Sequence, residues 1–448
     1  MITKIEVNGF KSLSNFELEL HTGLNILVGP NGSGKTNIVL FFEFLSKLTT
    51  NQVGNAVSSV GGAGSIFKKI GPNEYEPNIN FKIYGSKNIT ASKTITYEYS
   101  ATITTSFEKD NIFYSKQRIK YRSGTKFWKS PTEKTYSPDK WDFILNVENT
   151  ENSNNVKILK IDKRKVKPRF FHAESSKILE DQIIDFVKEY NPSFRNLIGC
   201  LFPFIDEVLY NIHSDLVGGE TFNVVPSKVK EQEDAATPPG IKKDGSGLAT
   251  TLYAMKKSKT KKGNIPDIYF YLNRQEKTYE PETLKKIIDY LKLANRTIAN
   301  LDVDNDPFDN KLIVKIFIET GEYNAVLPLS AMSDGTIKWL ALITAILTSK
   351  TIFSIEEPEN FLHPWMQAEI ANIMRNHISD KKEQSFVLMT THSESLLNHS
   401  EPNEIVLVDL ENGKTTAKRI KNINLIKYEI SNSGFGLGHF YFSDSLSL

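Results

Sequence analysis

A chain of 448 residues is long for one compact core and predicts a main domain with insertions, each lobe large enough to be stable alone. Hydrophobic residues at 39% and charged residues at 24% exclude global disorder, and no apolar run approaches the roughly 18 residues a membrane span needs. The net charge of +2 neither demands nor excludes a local nucleic-acid stripe, while the one cysteine, Cys200, excludes an internal disulfide and a thiolate zinc site.

The first five residues run directly into an alternating strand pattern rather than a signal peptide, so a cytoplasmic protein without a membrane partner is expected. Strands are predicted at 2–7 and 16–20, followed by a fully apolar strand at 24–28 that ends at a glycine loop. A helix is predicted over 35–47. The Gly, Ser and Asn content of 54–65 favours a loop and a domain boundary. Period-two alternation, as in Thr94-Ile95-Thr96-Tyr97-Glu98-Tyr99, then argues for an antiparallel sheet. Helical spacing returns at 177–198, and Cys200, inside the apolar run 197–205, reads as a core residue. Residues 231–243, with Pro238 and Pro239, read as a polar linker before a mostly helical stretch. The last third alternates: strand 311–318, helix 336–347, strand 351–355, helix 364–376, and strands 385–389 and 404–408. Such alternation implies a largely parallel, buried sheet with helices on its faces. The fold class is therefore α/β, in four parts. Residues 1–65 form the N-terminal part of the main α/β domain, 66–170 an antiparallel β-rich insertion lobe, 171–305 a mainly helical segment and 306–448 the C-terminal part of the main domain.

Between the apolar strand and the first helix stands Gly29-Pro30-Asn31-Gly32-Ser33-Gly34-Lys35-Thr36, which satisfies the P-loop spacing in the context that its chemistry requires. Glycines let backbone N–H groups turn towards phosphate oxygens, the helix start adds positive potential, Lys35 reaches the β- and γ-phosphates, and Thr36 ligates Mg²⁺. Asn31, Gly32, Ser33, Gly34, Lys35, Thr36 and Asn37 are thus the candidate ATP ligands on this side. A P-loop enzyme needs a second strand, lying beside the first, whose tip carries carboxylates. Ile352-Phe353-Ser354-Ile355-Glu356-Glu357-Pro358 supplies two, leaving the strand on opposite sides because strand side chains alternate. Glu356 is assigned to Mg²⁺ and Glu357 to the general base. A third apolar strand ends in Thr390-Thr391-His392-Ser393, which puts His392 where it could sense the γ-phosphate.

Taken in order, the phosphate loop, Leu329-Ser330-Ala331-Met332-Ser333-Asp334-Gly335-Thr336, Ile355-Glu356-Glu357-Pro358-Glu359-Asn360-Phe361-Leu362-His363-Pro364 and Thr391-His392-Ser393 closely resemble the ABC-type ATPases of the RecF, SMC and overcoming-lysogenization-defect (OLD) group, in particular stand-alone proteins of the AAA-21 type. The opening Asn8-Gly9-Phe10-Lys11-Ser12-Leu13 and the internal Lys243-Asp244-Gly245-Ser246-Gly247-Leu248 share the resemblance, which covers roughly residues 1–50 and 240–440 and leaves the β-rich middle without a motif. It implies a homodimer, open to higher assembly, in which two heads sandwich two ATP molecules. Ser333 and Gly335 of one head would then touch the γ-phosphate bound by the other. Ser333 also suits an ordinary helix N-cap. The signature departs from the transporter type, reading Ser-Asp-Gly-Thr where those carry Ser-Gly-Gly-Gln, and Glu356 stands where many relatives have Asp.

The resemblance further implies a magnesium-dependent ATPase, slow without a partner, that acts as a nucleotide-gated sensor or scaffold for a separate effector, a nuclease, in bacterial antiphage defence. OLD proteins carry an added Toprim nuclease with clustered metal-binding acids on the order of 100 residues long, more than follows His392, so no nuclease activity is expected in this chain. Asp302 and Asp304 read as part of a polar turn. The alternative is a RecF- or SMC-like DNA-binding ATPase in repair or recombination, with the basic clusters at 160–167 and 256–262 contacting nucleic acid. A transporter cassette is disfavoured by the opening motif and the β-rich middle.

Overall fold

The computed structural model describes the chain apart from residues 89, 91–92, 107–110, 126–140, 151–152, 163–165, 167–175, 202–206, 218–219, 259–278, 320, 322–323, 350–351, 381–384, 444 and 446–448. Strands β1 (Ile2–Asn8) and β2 (Phe16–Glu19) form an antiparallel pair, and β3 (Gly23–Val28) turns away into a different sheet. β4 (Asn78–Asn88), β5 (Lys93–Ser106), β6 (Asn111–Thr125), β7 (Phe143–Thr150) and β8 (Ser153–Ile161) extend the first pair into one seven-stranded sheet in the order β2-β1-β4-β5-β6-β7-β8. Alternation is the cause: Ile95, Tyr97, Tyr99, Ala101 and Ile103 of β5 are buried while the residues between them are not. The boundary expected near residue 65 therefore does not divide the sheet. Two strands from before it and five from after it share one hydrogen-bonded layer, with Phe10, Phe41 and Tyr99 in one core.

Helix α1 (Lys35–Thr50) packs under this sheet with α2 (Val53–Ser59), α3 (Ala63–Ile66), α4 (Ser176–Glu189), α5 (Leu197–Leu201) and α6 (Glu207–Val217). The loop expected at 54–65 is thus a correction. Val53, Ala56, Val57 and Val60 fall on one face at helical spacing and are buried, so burial of that face overrode a turn-rich composition. Cys200 is buried, as expected of a core residue, and burial pushes its thiol up to about 12.

The second sheet runs β17-β16-β3-β15-β14-β9, comprising β9 (Glu220–Phe222), β14 (Ile352–Glu356), β15 (Phe386–Thr391), β16 (Ile405–Glu411) and β17 (Lys414–Arg419) around β3. All neighbours are parallel except the β16–β17 hairpin. Its strands are apolar on both sides because they separate two cores. Leu27, Phe386, Leu388 and Val406 face the core of the first sheet, whereas Leu24, Ile26, Val28, Val387, Met389 and Ile405 face the other.

That other core contains α7 (Pro226–Val229), α8 (Leu248–Lys257), α9 (Pro281–Ala294), α10 (Asp334–Thr348), α11 (Pro364–Asp380), α12 (Glu394–Asn398), α13 (Ile423–Ser433) and α14 (Leu437–Phe442). It also includes a small antiparallel sheet in which β12 (Lys311–Glu319) pairs with β11 (Ile298–Asp306) on one edge and with β10 (Glu233–Asp234) and β13 (Asn324–Pro328) on the other. The mainly helical segment expected at 171–305 accordingly includes β9, β10 and most of β11, and the linker at 231–243 contributes β10. Asp302 and Asp304 lie in β11, not in a turn. Leu301 and Val303 point into the core, while Lys256 pairs with Asp302 at 2.7 Å and Lys315 with Asp304 at 2.7 Å on the outer face. Among the described residues no helix is long and apolar enough to cross a membrane.

Candidate functional site

Every candidate group from the cis half gathers at the C-terminal edge of the parallel sheet, where strand tips open into loops. β3 delivers the phosphate loop. Gly34 caps α1 with φ 101°, a conformation that favours glycine, and a Cβ there would overlap the Thr415 hydroxyl of β17. A Cβ on Gly29 would overlap the Val408 carbonyl of β16. These two glycines let the loop lie flush against the hairpin. Thr415 braces it, its Oγ1 donating to the Ser33 carbonyl at 3.0 Å and sharing a 2.6 Å hydrogen bond with Ser12 Oγ. Asn37, predicted as a nucleotide ligand, donates to Ser12 Oγ at 2.7 Å and so is tied to this brace.

Asn31 and Gly32 are exposed at the loop apex, and Thr36 is exposed at the first turn of α1. Lys35 is buried and folds over the loop, donating to the carbonyls of Gly29 at 2.8 Å and Pro30 at 3.0 Å. Burial lowers its pKa, and the charges of Glu357 and Glu359 oppose that shift.

The acidic strand β14 does not lie beside β3 as expected. β15 stands between them, so the residue at the tip of β15 is central and β14 is one strand further out. Glu356 nonetheless lies near the Thr36 side chain, which favours the charged form of its carboxylate. Burial raises the Glu356 pKa, against the pull of Lys243, whose ammonium pairs with Glu43 at 3.0 Å. Glu357 takes φ 43°; its N–H donates to the Thr390 carbonyl at 3.0 Å, and its Oε2 accepts from Asn360 at 3.0 Å. His392 follows β15, with its backbone N–H donating to Glu359 Oε1 at 2.8 Å.

Ser333 and Gly335 open α10. Ser333 is exposed and acts as the N-cap, accepting from the Thr336 N–H at 3.3 Å. Gly335 packs on the turn after β14, where a Cβ would stand 2.8 Å from the Phe361 carbonyl oxygen.

Three residues that sequence reasoning missed are built into this edge. Glu359 ties the turn after β14 to the tip of β15, accepting from Thr391 Oγ1 at 2.9 Å as well as from His392, and its Oε2 is buried without a partner. The signal was a third carboxylate in Glu356-Glu357-Pro358-Glu359. Lys338 is 1% exposed, and its signal was a lone charge inside the apolar run of α10. Thr415 had no signal, since 382 residues separate it from Ser33.

No cluster of three or more His, Cys, Asp and Glu able to hold a metal occurs among the described residues. Lys256, the described start of one expected basic cluster, is held by Asp302 and by Asp304 at 3.1 Å. Residues 163–165, 167 and 259–262 of the two clusters lie outside the described residues.

Residues 24–398 match the family described as "AAA domain, putative AbiEii toxin, Type IV TA system", a stretch that runs through the β-rich middle. Short stretches are similar to three curated proteins. The chain is 44% identical over 39 residues to the DNA double-strand break repair Rad50 ATPase of Methanopyrus kandleri, 9% of this chain and 4% of that protein. It is 33% identical over 75 residues to the chromosome partition protein Smc of Methanocaldococcus jannaschii, 15% of this chain and 6% of that one. It is 35% identical over 52 residues to the DNA replication and repair protein RecF of a Nocardioides species, 12% of each. The chain thus spans only a small part of the length of these relatives. Among solved structures, the Smc head bound to the C-winged helix domain of ScpA aligns with TM-score 0.49 and 14% identity over 95% of this chain and 99% of that one. The SMC head domain from Thermotoga maritima aligns with TM-score 0.41 and 10% identity over 94% and 99%.

Proposed function

The chain belongs to this family of AAA domains, and from that premise we propose that it binds and hydrolyses Mg-ATP between two copies of itself, gating a separate effector. The observation that carries the reading is the convergence, at one sheet edge, of a phosphate loop, a buried carboxylate near the loop's own threonine, a second carboxylate and the tip of a third strand. The donor set fits the ligand. Ser33 Oγ is buried without a partner inside the loop, and Lys35 sits over carbonyls that a phosphate could relieve it of.

Thr36 and Glu356 are the residues that would hold Mg²⁺, one hydroxyl and one carboxylate, the sparse protein share that Mg²⁺ takes when phosphates and water complete its shell. Bound there, Mg²⁺ would neutralise charge building on the phosphate oxygens. Lys35 supplies the cation that orients the β- and γ-phosphates. Glu357 accepts the proton of the attacking water, and His392, anchored through its N–H by Glu359, reports the γ-phosphate. The opening of α10 supports the trans half, since Ser333 is exposed at the start of a 15-residue helix whose first N–H groups favour anions. Ser333 as N-cap and as γ-phosphate ligand are compatible roles. Because the signature reads Ser-Asp-Gly-Thr, turnover should be slow until a partner closes the dimer.

The effector is read as a nuclease acting in antiphage defence, a role in keeping with a family described through a putative toxin and a toxin–antitoxin system. The DNA-repair alternative draws on the printed functions of the Rad50, Smc and RecF relatives, but the paired state of Lys256 gives it less support. The test is light scattering of wild type and Glu357→Gln with and without ATP and Mg²⁺. Glu357→Gln should bind ATP, fail to hydrolyse it and assemble into a dimer that Ser333→Arg abolishes. Normal hydrolysis by Glu357→Gln would remove the acidic strand from the catalytic map.

A further inference from the structure

Helix α10 carries Ser333 and Gly335 at its outer end, and less than one turn further it turns a cation inward. The Lys338 ammonium donates to the Glu357 carbonyl at 3.1 Å and stands 5.8 Å from the Phe361 ring centroid. Burial drives its pKa down to about 8 against the attraction of Glu359 and Glu357, so this position is a poor one for a lysine unless something there requires the group.

What it grips is a strained peptide. At φ 43°, Glu357 occupies the left-handed region that a side chain disfavours, and surrounding contacts must impose it. Those contacts come from two directions. On the β15 side, the Glu357 N–H donates to the Thr390 carbonyl at 3.0 Å and to Thr390 Oγ1 at 3.2 Å; on the α10 side, Lys338 takes the carbonyl. The same turn rests on α10 a second time, where the Phe361 carbonyl abuts Gly335.

We infer that Lys338 is a positioning residue: it fixes the Glu357 backbone so that the carboxylate meets the phosphate loop, and it thereby links the base of one head to the α10 opening that this head presents to its partner. The inference rests on the Mg-ATPase reading above. It implies that movement of the Glu357 turn is transmitted to Ser333 and Gly335 through Lys338 together with the Phe361–Gly335 contact, with no change in how ATP is bound.

The test compares Mg-ATPase kinetics of wild type, Glu357→Gln, Lys338→Met and the double variant, alongside equilibrium binding of a fluorescent ATP analogue. Lys338→Met should lower kcat about 10- to 100-fold, the range a small misplacement of a reacting group produces, and leave KM and analogue affinity within about twofold. Added to Glu357→Gln, it should cost nothing more. An unchanged kcat overturns the inference, as does a kcat loss matched by an equal loss of affinity, which would mark collapse of the phosphate site. Absence of hydrolysis in wild type, or equal hydrolysis in wild type and Glu357→Gln, defeats the ATPase reading instead. Should Lys338→Met not fold, Thr390→Val loosens the same peptide from the other side. It must then lower kcat at constant affinity, and an unaltered kcat there overturns the inference equally.

Discussion

Gly34→Ala probes why the phosphate loop can exist at all. The residue is held at φ 101°, and an added Cβ would overlap Thr415 Oγ1. The left-handed backbone costs a non-glycine residue about 1–2 kcal/mol. Displacing the Thr415 hydroxyl breaks its hydrogen bonds to the Ser33 carbonyl at 3.0 Å and Ser12 Oγ at 2.6 Å, each worth about 0.5–1.5 kcal/mol. The expected loss is therefore about 2–5 kcal/mol, read as a lower urea midpoint and weaker binding of an ATP analogue. The decisive comparison is a cycle with Thr415→Ala, which removes the overlapped hydroxyl. In that background Gly34→Ala should cost only the backbone share, about 1–2 kcal/mol, leaving a coupling of about 1–3 kcal/mol. Equal costs in both backgrounds would show that β17 does not confine the loop, and a neutral Gly34→Ala would refute the backbone argument as well.

Lys338 predicts a trade between stability and turnover. Its folded pKa of about 8 lies below the ordinary 10.5, so below pH 8 the fold carries the full penalty of a buried charge, and wild type gains stability as pH rises from 8 to 10.5. Lys338→Met should therefore be the more stable protein near pH 7, by about 3 kcal/mol less about 1 for the lost hydrogen bond, with the difference shrinking towards pH 10.5 in denaturation series. A difference independent of pH would contradict this assignment. Glu359→Ala should release the backbone of His392 and the Thr391 hydroxyl and destabilise by about 1–3 kcal/mol, while Glu359→Gln, which keeps an acceptor oxygen, should cost clearly less. Matching losses in the two variants, measured by denaturation, would exclude a hydrogen-bonding role.

Local chemistry wrote much of this protein plainly. The apolar strand, glycine loop and helix around Gly29–Thr36 follow from short-range backbone and burial preferences, as do the double-glutamate end of β14 and the helix that opens after Ser333. The alternation of β5 likewise announced a strand with one buried face. Composition misled where burial outweighed it, as at Val53 to Val60, where four buried apolar residues make a helix out of a segment rich in Gly, Ser and Asn.

Long-range placement decided the rest, because neither strand order nor the partners of a buried charge is encoded within a few residues. Strand pairing made the β-rich middle and the N-terminal hairpin one sheet, and put β15 between the phosphate loop and the acidic strand. Lys338 and Glu359 could be noticed as charges in unexpected places, but only packing brings one to the Glu357 carbonyl and the other to the His392 amide. Thr415 is the clearest case, since an ordinary threonine becomes the brace of the phosphate loop only when the β16–β17 hairpin closes against it.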